Sequence, residues 1–150
     1  MQGEIPLTEA VINTLAAEKL RSSETPLESA EVQVRPEGEF FVRVRLRRSF
    51  VPPVIVGLRV EQQPDLPRSA VVGFRWWLPG MGALATLAAP VLAFFKAGPP
   101  WMKVEGHHLF LDLAHLLRDQ GADEILGHLK SIRIGSREKA VVVQFEARIE

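Results

Sequence analysis

The stretch Glu31-Val32-Gln33-Val34-Arg35-Pro36-Glu37-Gly38-Glu39-Phe40-Phe41-Val42-Arg43-Val44-Arg45-Leu46-Arg47 reads as a β-hairpin. Apolar residues recur at every second position on both sides of Pro36-Glu37-Gly38, whose composition suits a turn. One register satisfies both faces at once. It sets Val34 against Phe40 and Val32 against Val42 on the buried side, and Arg35 against Glu39 and Glu31 against Arg43 on the wet side.

Moving outward, the same period continues towards the C-terminus. Val54, Val56, Leu58 and Val60 alternate with Ile55, Gly57, Arg59 and Glu61 in a third strand after Pro52-Pro53. A fourth, Ala70 to Trp77, carries Val72, Phe74 and Trp76 on one face and Val71, Arg75 and Trp77 on the other. Met102 to Glu105 and His108 to Leu111 form short strands about Gly106. Asp112 is placed to cap a helix of Leu113, Leu116 and Leu117 that Gly121 closes. A further turn from Asp123 is expected to bury Ile125, Leu126 and Leu129. Ile132 and Ile134 then lead to a last strand with Val141, Val143, Phe145, Ala147 and Ile149 inward. Towards the N-terminus, Leu7, Val11, Leu15 and Ala16 fall at helical spacing, so a helix is predicted over Pro6 to Leu20.

The middle of the chain is different. From Trp76 to Phe95 no residue is charged. Breakers at Pro79 to Gly82 and at Gly98 to Pro100 reduce the helical part to Ala83 to Phe95, shorter than the 17–25 or so residues a membrane span needs. The class predicted is α+β: one domain over residues 1–150, an antiparallel sheet with an N-terminal helix, this central apolar helix and a C-terminal helix packed on it.

The 150 residues are 47% hydrophobic and 24% charged, with 18 basic against 18 acidic side chains. A polyanion binder carries an excess of Lys and Arg, so nucleic acid is not an expected partner. There is no Cys, which excludes thiolate zinc sites, disulfides and cysteine nucleophiles. Met1 to Leu20 lacks a basic segment leading into an apolar one, so the expected location is the cytoplasm, unless a leader is missing from the chain.

Few residues suggest chemistry. Gly-rich phosphate loops and a Gly-x-Ser-x-Gly elbow are absent from the sequence. His107-His108 lacks a third ligand at metal-binding spacing. Asp112, His115 and Asp119 share a helix face, as a cation site or general base would require, but Asp112 also suits a plain helix cap. No catalytic residue, metal or cofactor is assigned, and the chain is not expected to be an enzyme. Arg43, Arg45 and Arg47 share one strand face, about 6–7 Å apart, and their guanidinium forks match the oxygens of phosphates or a lipid headgroup, the alternative being a wet face neutralised by Glu28, Glu31 and Glu39. Aromatics crowd around the uncharged run, and tryptophans favour places apolar at one end and wet at the other.

Leu7-Thr8-Glu9-Ala10-Val11-Ile12-Asn13-Thr14-Leu15, followed by alternating strands, resembles the opening of bacterial proteins in the tubular lipid-binding superfamily. Leu109-Phe110-Leu111-Asp112-Leu113, leading into a helix and closing strands, is similar in style. The resemblance implies a curved antiparallel sheet, a hydrophobic tunnel for acyl chains and no catalytic residues. Two departures stand beside it, since those relatives are usually exported and often have longer strands; the apolar helix at Ala83 to Phe95 is a further feature without a counterpart in that pattern. The expected function is thus non-enzymatic binding of a lipid or other apolar ligand. Trp76, Trp77, Leu87, Phe94, Phe95 and Trp101 would meet its tail, and Arg43, Arg45 and Arg47 an anionic head. Contact with a membrane surface fits the same residues. The alternative is an interaction or scaffold domain whose apolar central helix docks a partner or a second copy as a homodimer.

Overall fold

The computed structural model describes residues 1–22, 27–47, 52–79, 93, 100–122 and 124–148. The expected central helix, with Leu87, Phe94 and Phe95, lies outside them, residue 93 excepted, and so does Ile149. Nine strands form two antiparallel sheets among the described residues. The larger has the order β2 (Leu27–Arg35), β3 (Glu39–Leu46), β4 (Val54–Gln62), β5 (Val71–Trp77), β7 (His108–Asp112) and β6 (Met102–Glu105). The smaller has the order β1 (Gln2–Thr8), β9 (Ala140–Ala147) and β8 (Leu129–Arg137). Helices are α1 (Glu9–Ser22), α2 (Leu113–Asp119) and the four-residue α3 (Glu124–Gly127).

The hairpin forms in the register that its side chains dictate: Glu31 opposite Arg43, Val32 opposite Val42, Val34 opposite Phe40 and Arg35 opposite Glu39. Its turn places Glu37 and Gly38 at φ 64° and 74°. Across the larger sheet the inner face builds rows of apolar side chains. One runs Val34, Phe40, Leu58, Trp76; the next runs Val32, Val42, Val56. Val34, Val44, Val54 and Val72 are fully buried, and Phe40 meets Phe74 edge-on at 6.2 Å. Ile12 of α1, Leu113 of α2, and Ile134 and Val141 of the smaller sheet pack against this centre.

The N-terminus departs from expectation. Gln2–Thr8 is a strand and the helix starts only at Glu9, where Thr8 Oγ1 accepts the Val11 N–H at 3.3 Å. Pairing with β9 overrides the helical spacing of Leu7. Met1 and Ala147 exchange backbone bonds, so the odd residues of β1 face β9 and the even ones, Pro6 among them, face open solvent. Pro6 therefore costs the ladder nothing and denies a donor to any incoming strand. Two smaller corrections follow. Ile125, expected inside, is 52% exposed on the short α3. Val142, outside the expected inward set, is buried because β9 is the central strand, with Pro6 and Gly135 on either side.

α1 runs along the free edge of β2 and bonds to its backbone. Val34 N–H donates to Glu9 Oε2 at 3.0 Å; Val32 N–H donates to Asn13 Oδ1 at 2.6 Å, and Asn13 Nδ2 returns a bond to the Val32 carbonyl at 3.0 Å. Four helical residues rise about 6.0 Å and two strand residues about 6.6–6.8 Å, so Glu9 and Asn13 reach alternate residues of β2. The turn of the β8–β9 hairpin joins in: Lys139 N–H donates to the Val34 carbonyl at 3.1 Å and Glu9 N–H to the Lys139 carbonyl at 2.8 Å. Ser136 Oγ accepts from Gly38 N–H at 2.7 Å and donates to the Arg35 carbonyl. Gln63 pairs with both the N–H and the carbonyl of Ile134, at 2.8 and 2.6 Å. Side chains thus supply most of the joints between the sheets, beside the backbone bond from Lys139 to Val34.

Asn13→Ala would leave a part-buried donor and acceptor of β2 unpaired. A loss of about 1–3 kcal/mol of unfolding free energy is expected in urea titrations, with the slope unchanged because the surface exposed on unfolding is the same.

Candidate functional site

Of the tail candidates, Trp76 lies on the face opposite the headgroup arginines, whereas Trp77 shares theirs. Successive strand residues point to opposite faces, so Trp76 belongs to the inner, apolar face and Trp77 to the outer one. Trp76 packs against the cluster of Leu27, Val44, Val54 and Val56. Its Nε1 donates to the Gly106 carbonyl at 2.9 Å, and its ring lies 5.1 Å from that of His107. The ring thus has an apolar body inward and a polar edge tied to the β6–β7 turn. Trp101 is half-buried where β6 begins, and its carbonyl accepts the Asp112 N–H at 2.8 Å.

Around Trp76 the inner face is only partly closed. Val32, Val42, Leu58, Val60, Leu109 and Leu111 are all half-buried, although they adjoin fully buried neighbours. Together with Trp76 they make one apolar wall across five strands.

The outer face is polar with an aromatic row. Gln33, Phe41, Gly57 and Trp77 align across four strands. The indole of Trp77 lies over Gly57 so closely that a Cβ there would sit 2.3 Å from the ring. Phe41 meets Trp77 edge-on at 6.0 Å, and the Arg35 guanidinium lies 5.1 Å from the centre of the Phe41 ring. Beside this row stand Arg43, opposite Glu31 and Ile55, and Arg45, opposite Ser29. Arg47 differs: its guanidinium donates to the Leu27 carbonyl at 3.1 Å and the Leu20 carbonyl at 3.4 Å, joining the last turns of α1 to the start of β2. Trp76 and the arginine row therefore do not share a pocket. Alternation along β5 and β3 already contains this separation.

The acid–imidazole constellation resolves into a helix cap. Asp112 is the N-cap of α2, and its Oδ1 accepts the His115 N–H at 3.2 Å. His115 and Asp119 are 3.9 Å apart on the surface. His108 Nδ1 lies 3.1 Å from Glu61, also in the open. Among the described residues no three His, Asp or Glu side chains gather as a metal site would need, and no charged side chain is buried. Among the described residues, Lys103 is the group whose titration is shifted. The hydrogen bond and charge of Glu105, 2.8 Å away, raise it above the ordinary lysine value, and both groups are exposed.

A cleft that the sequence did not suggest, of about 320 Å³, opens between α1 and β2, lined by Asn13, Ala17, Arg21, Glu28, Ala30 and Glu31 among others. Its signal was there in the four-residue spacing of Glu9, Asn13 and Ala17, which becomes meaningful only once β2 lies alongside. No helix among the described residues is long and apolar enough to cross a membrane. No protein-family model, curated protein or solved structure matches the chain.

Gly57→Ala should force the indole of Trp77 off the sheet. Overpacking of this kind costs about 1–3 kcal/mol, and the near-ultraviolet circular dichroism of the tryptophans should change with it. Asp112→Ala should lower the midpoint of thermal unfolding through loss of a cap, about 0.5–2 kcal/mol.

Proposed function

We propose that the chain binds a lipid or other apolar ligand, without catalysing a reaction, against the inner face of the larger sheet. The observation that carries this reading is the half-buried apolar wall of Val32, Val42, Leu58, Val60, Leu109 and Leu111 around Trp76. Covering such a surface yields roughly 25 cal/mol per Å² removed from water, so a flexible tail gains affinity without directional contacts. Trp76 supports the reading as a rim residue, its Nε1–H already satisfied by Gly106 and its half-buried apolar body set beside the wall. Arg43 and Arg45 extend from the opposite face, and Arg47 is bonded to Leu20 and Leu27. A headgroup for this ligand therefore falls to other groups, and the outer arginines suit a membrane surface better than the tail's own anion.

An interaction domain is the second reading, and α1 lends it an observation: Val11 and Leu15, one helical turn apart, are 46% and 57% exposed. A dimer in light scattering that Leu15→Glu converts to monomer would favour it.

Two single-tryptophan variants test the ligand-binding reading. One keeps Trp76 (Trp77→Phe with Trp101→Phe); the other keeps Trp77 (Trp76→Phe with Trp101→Phe). A fatty acid brominated along its chain is expected to quench the first strongly and the second little. Equal quenching of both, or none, would sink the proposal, as would native mass spectra free of co-purified lipid.

A further inference from the structure

We propose that the cleft between α1 and β2 is a binding site for the main chain of a short zwitterionic peptide. This site is separate from the apolar wall and does not depend on the ligand-binding reading.

The spacing of α1 matches that of β2. Glu9 bonds to Val34 and Asn13 to Val32, four helical residues matched to two strand residues. The next rung in that series sets Ala17 beside Ala30. Ala30 belongs to the same alternation as Val32 and Val34, so its N–H and carbonyl point to the same open edge; the one irregularity of β2 lies earlier, between Leu27 and Ser29. A methyl group offers those two backbone groups nothing. Among the described residues no side chain completes the rung, and the cleft of about 320 Å³ is the space it leaves.

That space has a chemical character. A backbone N–H and carbonyl side by side match the carbonyl and N–H of one residue in an extended peptide, the pairing by which peptides add to a sheet edge. Arg21 and Arg47 line the cleft together with Glu28 and Glu31, two cations and two anions around one amide-binding edge. The guanidinium of Arg21 suits a carboxylate, and the carboxylates of Glu28 and Glu31 suit an ammonium group. At roughly 30 Å³ per water the cleft holds about ten waters, the scale of a di- or tripeptide and too little for a docked domain. Asn13 on one side and Arg47 on the other close the edge, so only one rung is open. The occupant is therefore short.

Titration of the isotope-labelled full chain with trialanine, followed by backbone amide resonances, tests this. Saturable shifts centred on Ala30 and its neighbours are expected, with a Kd of about 1 mM, as befits a few hydrogen bonds set against the entropy of association. Ala17→Asn extends the series of Glu9 and Asn13 over Ala30; it should raise the unfolding midpoint and weaken trialanine binding about tenfold or more. Arg21→Gln, which leaves the backbone edge untouched, should weaken binding on its own. It decides the matter if Ala17→Asn does not fold. Terminally blocked trialanine should bind less well than the free peptide. Absence of shifts at Ala30, or wild-type affinity in both variants, would overturn the site; equal affinity for blocked and free peptide would overturn its zwitterionic character.

Discussion

A β-strand at the edge of a sheet exposes a row of unpaired donors and acceptors, and the edge at β2 lies beside the centre of the apolar core. How that edge is satisfied governs much of the remaining arrangement. Here a helix does it, with Glu9 and Asn13 standing in for the backbone of a neighbouring strand. Because those bonds fix the position of α1, they also fix where Ile12 and Leu20 enter the core. The turn at Lys139 bonds to both Val34 and Glu9, so the smaller sheet is held by the same junction. Buried backbone groups cost more unpaired than a typical bond gains, so the junction matters more than its number of contacts suggests.

The larger sheet divides its labour by face. Inward, valines and Phe40, Phe74 and Trp76 build an apolar wall; outward, charge alternates with one aromatic row. Glycines belong to that second pattern. Gly57 lies beneath the indole of Trp77, and Gly3 of the smaller sheet lies beneath the ring of Phe145, where a Cβ would be 2.4 Å from the ring. In each pair the missing side chain on one strand is what lets the aromatic on the next lie flat. The aromatic in turn covers backbone that glycine would leave wet.

Short-range patterns in the sequence were legible because they are self-consistent. The hairpin around Pro36 to Gly38 was readable from Glu31, Arg43, Arg35 and Glu39 alone, since a slip of one residue would invert every side chain. Gly106 and Gly121, at φ 57° and 69°, mark the turn and the helix end assigned to them. Asp112 declared its cap. Long-range relations were not legible. Pro6 to Thr8 reads as the start of a helix until β9 is alongside, and nothing near Gln63 or Ser136 announces that they bridge two sheets. Of the candidate residues, Trp76 and Trp77 were readable as facing opposite ways. The bonds from Arg47 to Leu20 and Leu27 depend on how α1 meets β2, which no local pattern encodes.

Pro6, turned outward on β1, belongs to a set. The four edges of the two sheets are each blunted differently: by Pro6 on β1, by the Gln63 amide on β8, by Glu9 and Asn13 on β2, and by the brevity and charge of β6, four residues with Lys103 and Glu105. Among the described residues, copies meeting edge to edge would thus find little free backbone, the single rung at Ala30 apart. Resistance to edge-to-edge association then rests on these local devices rather than on net charge, which is zero. Crowding this protein at its isoelectric pH is the condition in which that distinction governs its solubility.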